Sequence, residues 1–404
     1  MPRRKSEEPA GPGPDRARPR TDRARPGPDR ARPRPDRARP RPDRARPRPD
    51  RARSRTDTAR LGAARVALCA VFAVHGFIFA SWAVRVPAIK QQTGASSAAL
   101  GLALLGLSAG AVATMVIAGA LCRRFGSGRV TVISCVLLSV TLVLPALARS
   151  AATLGLMLVI FGAAYGCLNV AMNSVAVDLV AALRRPVMPT FHAAWSFGGL
   201  AGAGLGGLLA PHLSPLRHLL LIALAGLLVT VVTARTLLAF RPPGTTPAGH
   251  GGRRPAWRRA LHTGRAVGLF GLIALCAAYD EGAIGDWGAL HLRQDLGAGA
   301  GLAAAGYAAF ALAEATGRLS GTWMLEHLGR TRVLVLGGLT ACGGMLVASL
   351  APDVWLALAG FAVTGLGLAN LFPAAMTRAG LLAGSGGVAL ASTLGYSGFL
   401  LGPP

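Results

Sequence analysis

From Val66 to the carboxyl terminus the chain alternates long apolar stretches with short polar or glycine-bearing turns. The stretches fall at Val66 to Val84, Ala98 to Leu121, Val130 to Leu147, Ala152 to Val177, Phe191 to Pro211 and His218 to Phe240. After a polar break they resume at Ala266 to Trp287, Leu302 to Trp323, Val333 to Leu350, Val354 to Phe372 and from Gly387 onward. Each is close to the ~20 residues an α-helix needs to cross hydrocarbon. They are too long for barrel strands, and hydrocarbon tolerates no unpaired lipid-exposed backbone group, so all are predicted helical. The pattern predicts an all-α integral membrane protein with six helices, a linker and then five.

The two sets of stretches echo each other. Gly126-Ser127-Gly128-Arg129-Val130 returns as Gly329-Arg330-Thr331-Arg332-Val333, shifted by 203, as Gly94-Ala95 returns as Gly297-Ala298. Gly166-Cys167-Leu168-Asn169 returns as Gly367-Leu368-Ala369-Asn370, and Trp195-Ser196 as Tyr396-Ser397, both shifted by 201. Corresponding segments run in the same direction, so the repeat is parallel: two halves related by an axis along the membrane normal. Shifted by 201, the sixth stretch would fall beyond Pro404, so the second half is expected to be incomplete, the chain ending inside its eleventh helix.

Composition agrees, with 52% hydrophobic residues in 404. Of the net charge of +26, +12 falls in the first sixty residues. Asp15, Asp22, Asp29, Asp36, Asp43, Asp50 and Asp57 recur every seven residues in copies of Asp-Arg-Ala-Arg-Pro-Arg-Pro, a repeat with no apolar seam. Residues 1–60 are therefore expected to form a disordered Arg/Pro-rich tail. Such a tail has the charge for lipid headgroups, but a slipped low-complexity repeat with no role accounts for it better, and no nucleic-acid partner is expected. With the amino terminus in the cytoplasm, Arg123, Arg124, Arg129, Arg184, Arg185, Arg330, Arg332 and Arg378 all fall inside, whereas the opposite loops hold few basic residues. This is the positive-inside signal, and it predicts a multi-pass protein of the cell membrane with a cytoplasmic amino terminus. The domains follow: tail 1–60, amino-terminal half 61–240, cytoplasmic linker 241–265 and carboxyl-terminal half 266–404. Six cysteines lie in or beside the stretches without paired spacing, which suggests neither disulfides nor a metal, and no cofactor is implied.

With two parallel halves, the second cut short of the twelve helices that the repeat implies, and a Gly/Arg turn between its second and third helices, the chain resembles the major facilitator superfamily. That family's turn signature, roughly Gly-x-x-x-Asp-Arg-x-Gly-Arg-Arg, is matched by Gly119, Arg124, Gly126 and Arg129, with Arg123 in place of the acid. In the second half Glu326 keeps the acid before Gly329, and His327 replaces the Arg. The resemblance implies that these residues latch the halves in one conformation. Gly76 to Pro87, Phe191 to Ser196 and Gly365 to Pro373 resemble the fucose-permease-like, sugar-transporting branch.

Ionisable and amide groups inside spans are costly and mark candidate chemistry. The second half supplies the acids at membrane depth: Glu281 and Asp286 in the seventh stretch, and Glu314, four residues before Arg318, in the eighth. Glu314 and Arg318 suit a helical ion pair, and equally a proton-exchanging acid beside a solute-binding cation. Glu281, Glu314 and His75 are the proton-coupling candidates. Asn169, Asn173, Asn370, Arg318, Trp82, Trp287 and Asp286 are the substrate-binding candidates, the two tryptophans serving equally well as interfacial anchors. No Gly-Lys-Ser/Thr loop, metal spacing or nucleophile constellation occurs, so any driving energy is expected from a gradient, and no enzyme activity is expected. The combined expectation is a secondary active carrier, working as a monomer, of a small polar solute such as a sugar, with protons as the coupling ion. A drug or metabolite exporter and a non-transporting membrane sensor are the alternatives.

Overall fold

The computed structural model describes the backbone of residues 51–240 and 256–401. The expectations for residues 1–50 of the tail and 241–255 of the linker fall outside those residues, whereas residues 51–60, expected to be disordered, and 256–265, expected in the linker, are helical and extend the spans they adjoin. The first half comprises α1 (Arg51–Ala83), α2 (Val86–Thr93), α3 (Ser97–Phe125), α4 (Ser127–Thr141) with a 3-10 turn at Leu144–Leu147, α5 (Ala151–Leu183), α6 (Met188–Leu209) and α7 (Pro215–Ala239). The second comprises α8 (Ala256–Ala283), a π-helical turn (Ile284–Gly288), α9 (Ala289–Gln294), α10 (Ala300–His327), α11 (Arg330–Ser349), α12 (Val354–Leu368) and α13 (Leu371–Leu401). There is no strand among the described residues.

Eight helices are long and apolar enough to cross a membrane among the described residues. One of these spans, Val354–Phe399, makes two legs, because the backbone leaves the helical region at Ala383 and at Gly384, where φ is 58°. The glycines of α6 and the Glu314/Arg318 pair of α10 make those two helices less apolar, yet both pack within the bundle.

The parallel repeat reappears as backbone geometry. Gly94 and Gly297 have φ of 62° and 67°, and Gly126 and Gly329 have φ of 88° and 77°. Each pair sits 203 residues apart at a chain reversal that favours glycine. Helix starts repeat as well. Ser150 caps α5, its hydroxyl accepting from the Thr153 amide at 3.2 Å. Asp353, again 203 residues on, caps α12 by accepting from the amides of Trp355 at 2.9 Å and Leu356 at 3.0 Å. In each case a side-chain oxygen satisfies helix-start amides that have no intrahelical partner.

Helix pairing obeys the same symmetry. In the first half α1 packs on α6, and α5 packs on α3 and α4; in the second, α8 packs on α13, and α12 packs on α10 and α11. The halves meet where α13 lies against α3 and α5, and where α6 lies against α10. Within each half these contacts are backbone-close: a Cβ on Gly162, Gly198 or Gly365 would overlap the carbonyl of Leu107, Ala73 or Phe310. Hydrocarbon offers no hydrophobic drive to bring helices together, so close packing of small residues does this work. Phe72, Phe161, Phe191 and Phe310 fill the interior, while Leu208, Val231 and Leu339 face outward.

Three features lay beyond the apolar pattern. Helix α2 is eight residues long, begins with Pro87 in its first turn and ends at left-handed Gly94. The π-helical turn carries the seventh leg past Trp287 into α9. The tenth leg continues beyond Phe372 to the Ala383–Gly384 bend. Buried Arg85 joins α2 to the bundle: it donates to His218 Nδ1 at 2.8 Å and to the Ala210 and Leu209 carbonyls at 3.2 and 3.3 Å, satisfying the end of α6.

Candidate functional site

A cavity of about 1200 Å³ lies between the halves, lined from α1, α3, α5, α6, α8, α10 and α13. Its walls combine many aromatic rings with a few polar groups, among them Asn169, His192, Glu281 and Arg318. Arg318 on α10 is the hub. Its Nη2 donates to Glu314 Oε1 one turn earlier, and its Nη1 donates to the Ser196 hydroxyl on α6 of the opposite half. The guanidinium also lies 5.9 Å from the centre of the Trp195 ring, a cation–π distance. Glu314 is buried behind Arg318.

A second set of bonds crosses between the halves from α5. Asn169 Nδ2 donates to Tyr396 Oη at 3.1 Å and its Oδ1 accepts from Ser392 Oγ at 3.2 Å. Tyr396 Oη donates in turn to Tyr165 Oη at 3.4 Å. Tyr165 stacks on His75 with ring centroids 4.0 Å apart. Trp195 Nε1 donates to His75 Nδ1 at 3.0 Å; because an indole can only donate, this nitrogen of His75 carries no proton. Among the described residues, His75 Nε2 is buried with no hydrogen-bond partner within 3.5 Å.

The sequence candidates divide by position. Glu281, Arg318, Asn169 and Trp82 are on the cavity wall, and Trp82 is buried against Phe161 rather than anchored at an interface. His75 and Glu314 stand directly behind that wall. Asn173 is not on it: this amide points back along α5 and donates to the Asn169 carbonyl at 2.8 Å. Nor is Asn370, which donates to the Gly317 carbonyl at 3.0 Å and ties the α12–α13 junction to α10. Trp287 is exposed on the π-helical turn and is not among the residues that line the cavity. The side chain of Asp286 lies outside the described residues. Pattern reading missed Tyr165, Trp195, Ser196, Ser392 and Tyr396 as site residues. A signal was present, since Trp195-Ser196 and Tyr396-Ser397 are one of the repeat's matched pairs.

The halves are joined at the end carrying the Gly126 and Gly329 turns. Arg185, after α5, donates to Glu326 Oε1 of α10 at 2.9 Å. The hydrogen bond from Arg185 holds the Glu326 carboxyl below its usual value. Nearby, Thr322 Oγ1 donates to the Pro186 carbonyl at 3.3 Å, and Ser385 Oγ donates to the Gly119 carbonyl at 3.0 Å. Gly119 has no room for a Cβ, which would press on Ala389 and the Ser385 carbonyl. Of the other latch candidates, Gly126 and Gly329 form the positive-φ turns. Arg124 lies over the ring of its neighbour Phe125 at 5.3 Å, and among the described residues Arg129 pairs with no carboxylate. The cavity lies toward the opposite end, lined there by Ala98, Gly101 and Leu102 at the start of α3.

Two like helical halves, joined at one end and enclosing between them a largely apolar cavity with a few polar groups, define a membrane transporter rather than an enzyme. The chain belongs to the Major Facilitator Superfamily, whose family profile matches residues 67–403. It is 33% identical over 343 residues to an uncharacterised MFS-type transporter of Yersinia pestis, covering 84% of this chain and 87% of that protein. It is 32% identical to the membrane protein MosC of Rhizobium meliloti, covering 84% and 81%. Among solved structures it resembles the E. coli fucose:proton symporter FucP, with a TM-score of 0.68 at 16% identity over 84% of this chain and 90% of that one. The human organic anion transporter MFSD10 has the same fold, with a TM-score of 0.67 at 15% identity over 85% and 92%.

Proposed function

We propose that this protein is a proton-coupled importer of a small, hydroxyl-bearing polar solute, working by alternating access in the cell membrane with its amino terminus in the cytoplasm. The observation that carries the proposal is the chain Glu314–Arg318–Ser196, in which one buried carboxylate holds the cation that bridges the two halves at the cavity. Ionised Glu314 keeps Arg318 in place. Protonated Glu314 no longer holds that charge, and breaking a buried pair costs ~3 to 5 kcal/mol, enough to drive Arg318 to new partners, Glu281 on the same wall among them, and release Ser196. Proton occupancy and the contact between halves are thereby linked, as a carrier driven by a gradient requires. Amide and phenol groups with aromatic faces suit a polyhydroxylated solute, and the neighbours FucP and XylE are described as a fucose:proton and a proton:xylose symporter.

The test is solute flux in vesicles with an imposed proton gradient. Glu314→Gln is expected to abolish uphill accumulation while preserving counterflow exchange, since a permanently neutral side chain cannot report proton release. Uphill accumulation that persists in this variant would refute the coupling role of Glu314.

A further inference from the structure

The cavity contains one cation site that the protein fills itself. Arg318 is held by a carboxylate, Glu314, and faces an aromatic ring, Trp195. A second acid-and-ring arrangement stands in the same cavity without its cation. Phe79, Tyr165, Tyr396 and Phe399 form a continuous aromatic wall across the two halves, with successive ring centroids 5.5, 6.1 and 5.9 Å apart. Glu281 lines the cavity together with these rings and, among the described residues, makes no hydrogen bond and no ion pair within 4 Å, the charge of Arg318 acting on it only through space. The next residue is Gly282, whose missing side chain lets the Phe399 ring approach within 3.2 Å of where a Cβ would be. The π-helical turn begins at Ile284, a distortion that often marks a functional position in a helix.

Charge counting makes the asymmetry plain. Two carboxylates, Glu281 on the wall and Glu314 behind it, share the single cation Arg318, so with both ionised this cluster is left one negative charge in excess. A hard metal ion requires several oxygen ligands, which one carboxylate beside a wall of rings does not supply. An organic ammonium suits both elements, bonding the carboxylate through its N–H groups and presenting its positive charge to the ring faces.

We propose that the solute carries a cationic amine, and that Glu281 with the Phe79–Tyr165–Tyr396–Phe399 wall is its binding site. This rests on the transporter function proposed above and narrows its substrate class from a polar solute to an aminated one.

Trp82 and Trp195 line the cavity, so binding to the purified full chain is read by tryptophan fluorescence. D-glucosamine, D-glucose and N-acetyl-D-glucosamine share a ring and differ at carbon 2, which bears an ammonium, a hydroxyl and a neutral amide respectively. At neutral pH glucosamine is expected to half-saturate the signal at a concentration at least about tenfold below either neutral sugar. Glu281→Gln is expected to erase that preference, and Glu281→Asp, which keeps the charge, to retain it at weaker affinity. Equal responses to all three sugars, no response to any, or a preference that survives in Glu281→Gln each overturn the proposal. Vesicle counterflow separates this from the broader function: exchange of a neutral solute with no amine preference would overturn the amine site and leave the transporter standing, whereas a glucosamine preference without flux would do the reverse.

Discussion

Arg185 and Glu326 form an exposed ion pair across the halves, and its contribution depends on protonation in a defined direction. The Glu326 carboxyl is depressed by its bond to Arg185, so the pair is intact above the ordinary Glu value of about 4.3 and fades only as pH falls through the lower, paired value. Transport is therefore expected to show no inflection from this pair between about pH 5 and pH 8. Reversing one charge, Arg185→Glu, is expected to favour opening at the joined end, and the double variant Arg185→Glu/Glu326→Arg to restore the starting balance. Accessibility of a reporter cysteine at that end measures both, and a double variant no different from the single would count against the pair. At this scale the sequence was informative about charge and poor about partners. Glu281, Glu314 and Arg318 stood out because ionisable groups are rare in spans. Asn173 and Asn370 looked equivalent to Asn169, yet rotation about their helices turns them to backbone carbonyls, and nothing in a single chain's pattern reveals that rotation.

Helices were legible because hydrocarbon forces the issue: a long apolar stretch there has no alternative to helical hydrogen bonding. Less legible were local departures that depend on a few residues, such as α2, the π-helical turn and the bend at Ala383–Gly384. Helix packing yields its own prediction. Gly198 on α6 meets the Ala73 carbonyl of α1 with no room for a Cβ, while Gly204 and Gly207 on the same helix have open space beside them. Gly198→Val is expected to destabilise by about 1 to 3 kcal/mol or more, since overpacking must push two backbones apart. Gly204→Ala is expected to be nearly neutral. The midpoint of thermal unfolding in detergent distinguishes the two, and equal midpoints would mean that the α1–α6 contact yields without cost.

For the molecule as a whole, the decisive property is that contacts between halves are arranged differently at its two ends. Arg185–Glu326, Thr322–Pro186 and Ser385–Gly119 join the halves at the turn end, while the cavity lies toward the start of α3. The parallel repeat, visible in the chain as four short matches, accounts for this shape: two similar halves enclose a cavity between them and can rock about it. Which end is joined was not legible, because it depends on cross-half partners far apart in sequence. If rocking is the working motion, holding the joined end shut must stop transport without emptying the cavity. Cysteines at positions 185 and 326, bridged by a short bifunctional thiol reagent in a background with exposed Cys276 and Cys342 changed to Ser, supply that constraint. Cross-linked protein is expected to keep its ligand-induced tryptophan signal and lose vesicle flux, and reduction of a cleavable linker is expected to restore the flux. Flux that continues through fully cross-linked protein would mean that the halves do not part at this end, and the alternating-access scheme would have to be abandoned for this chain.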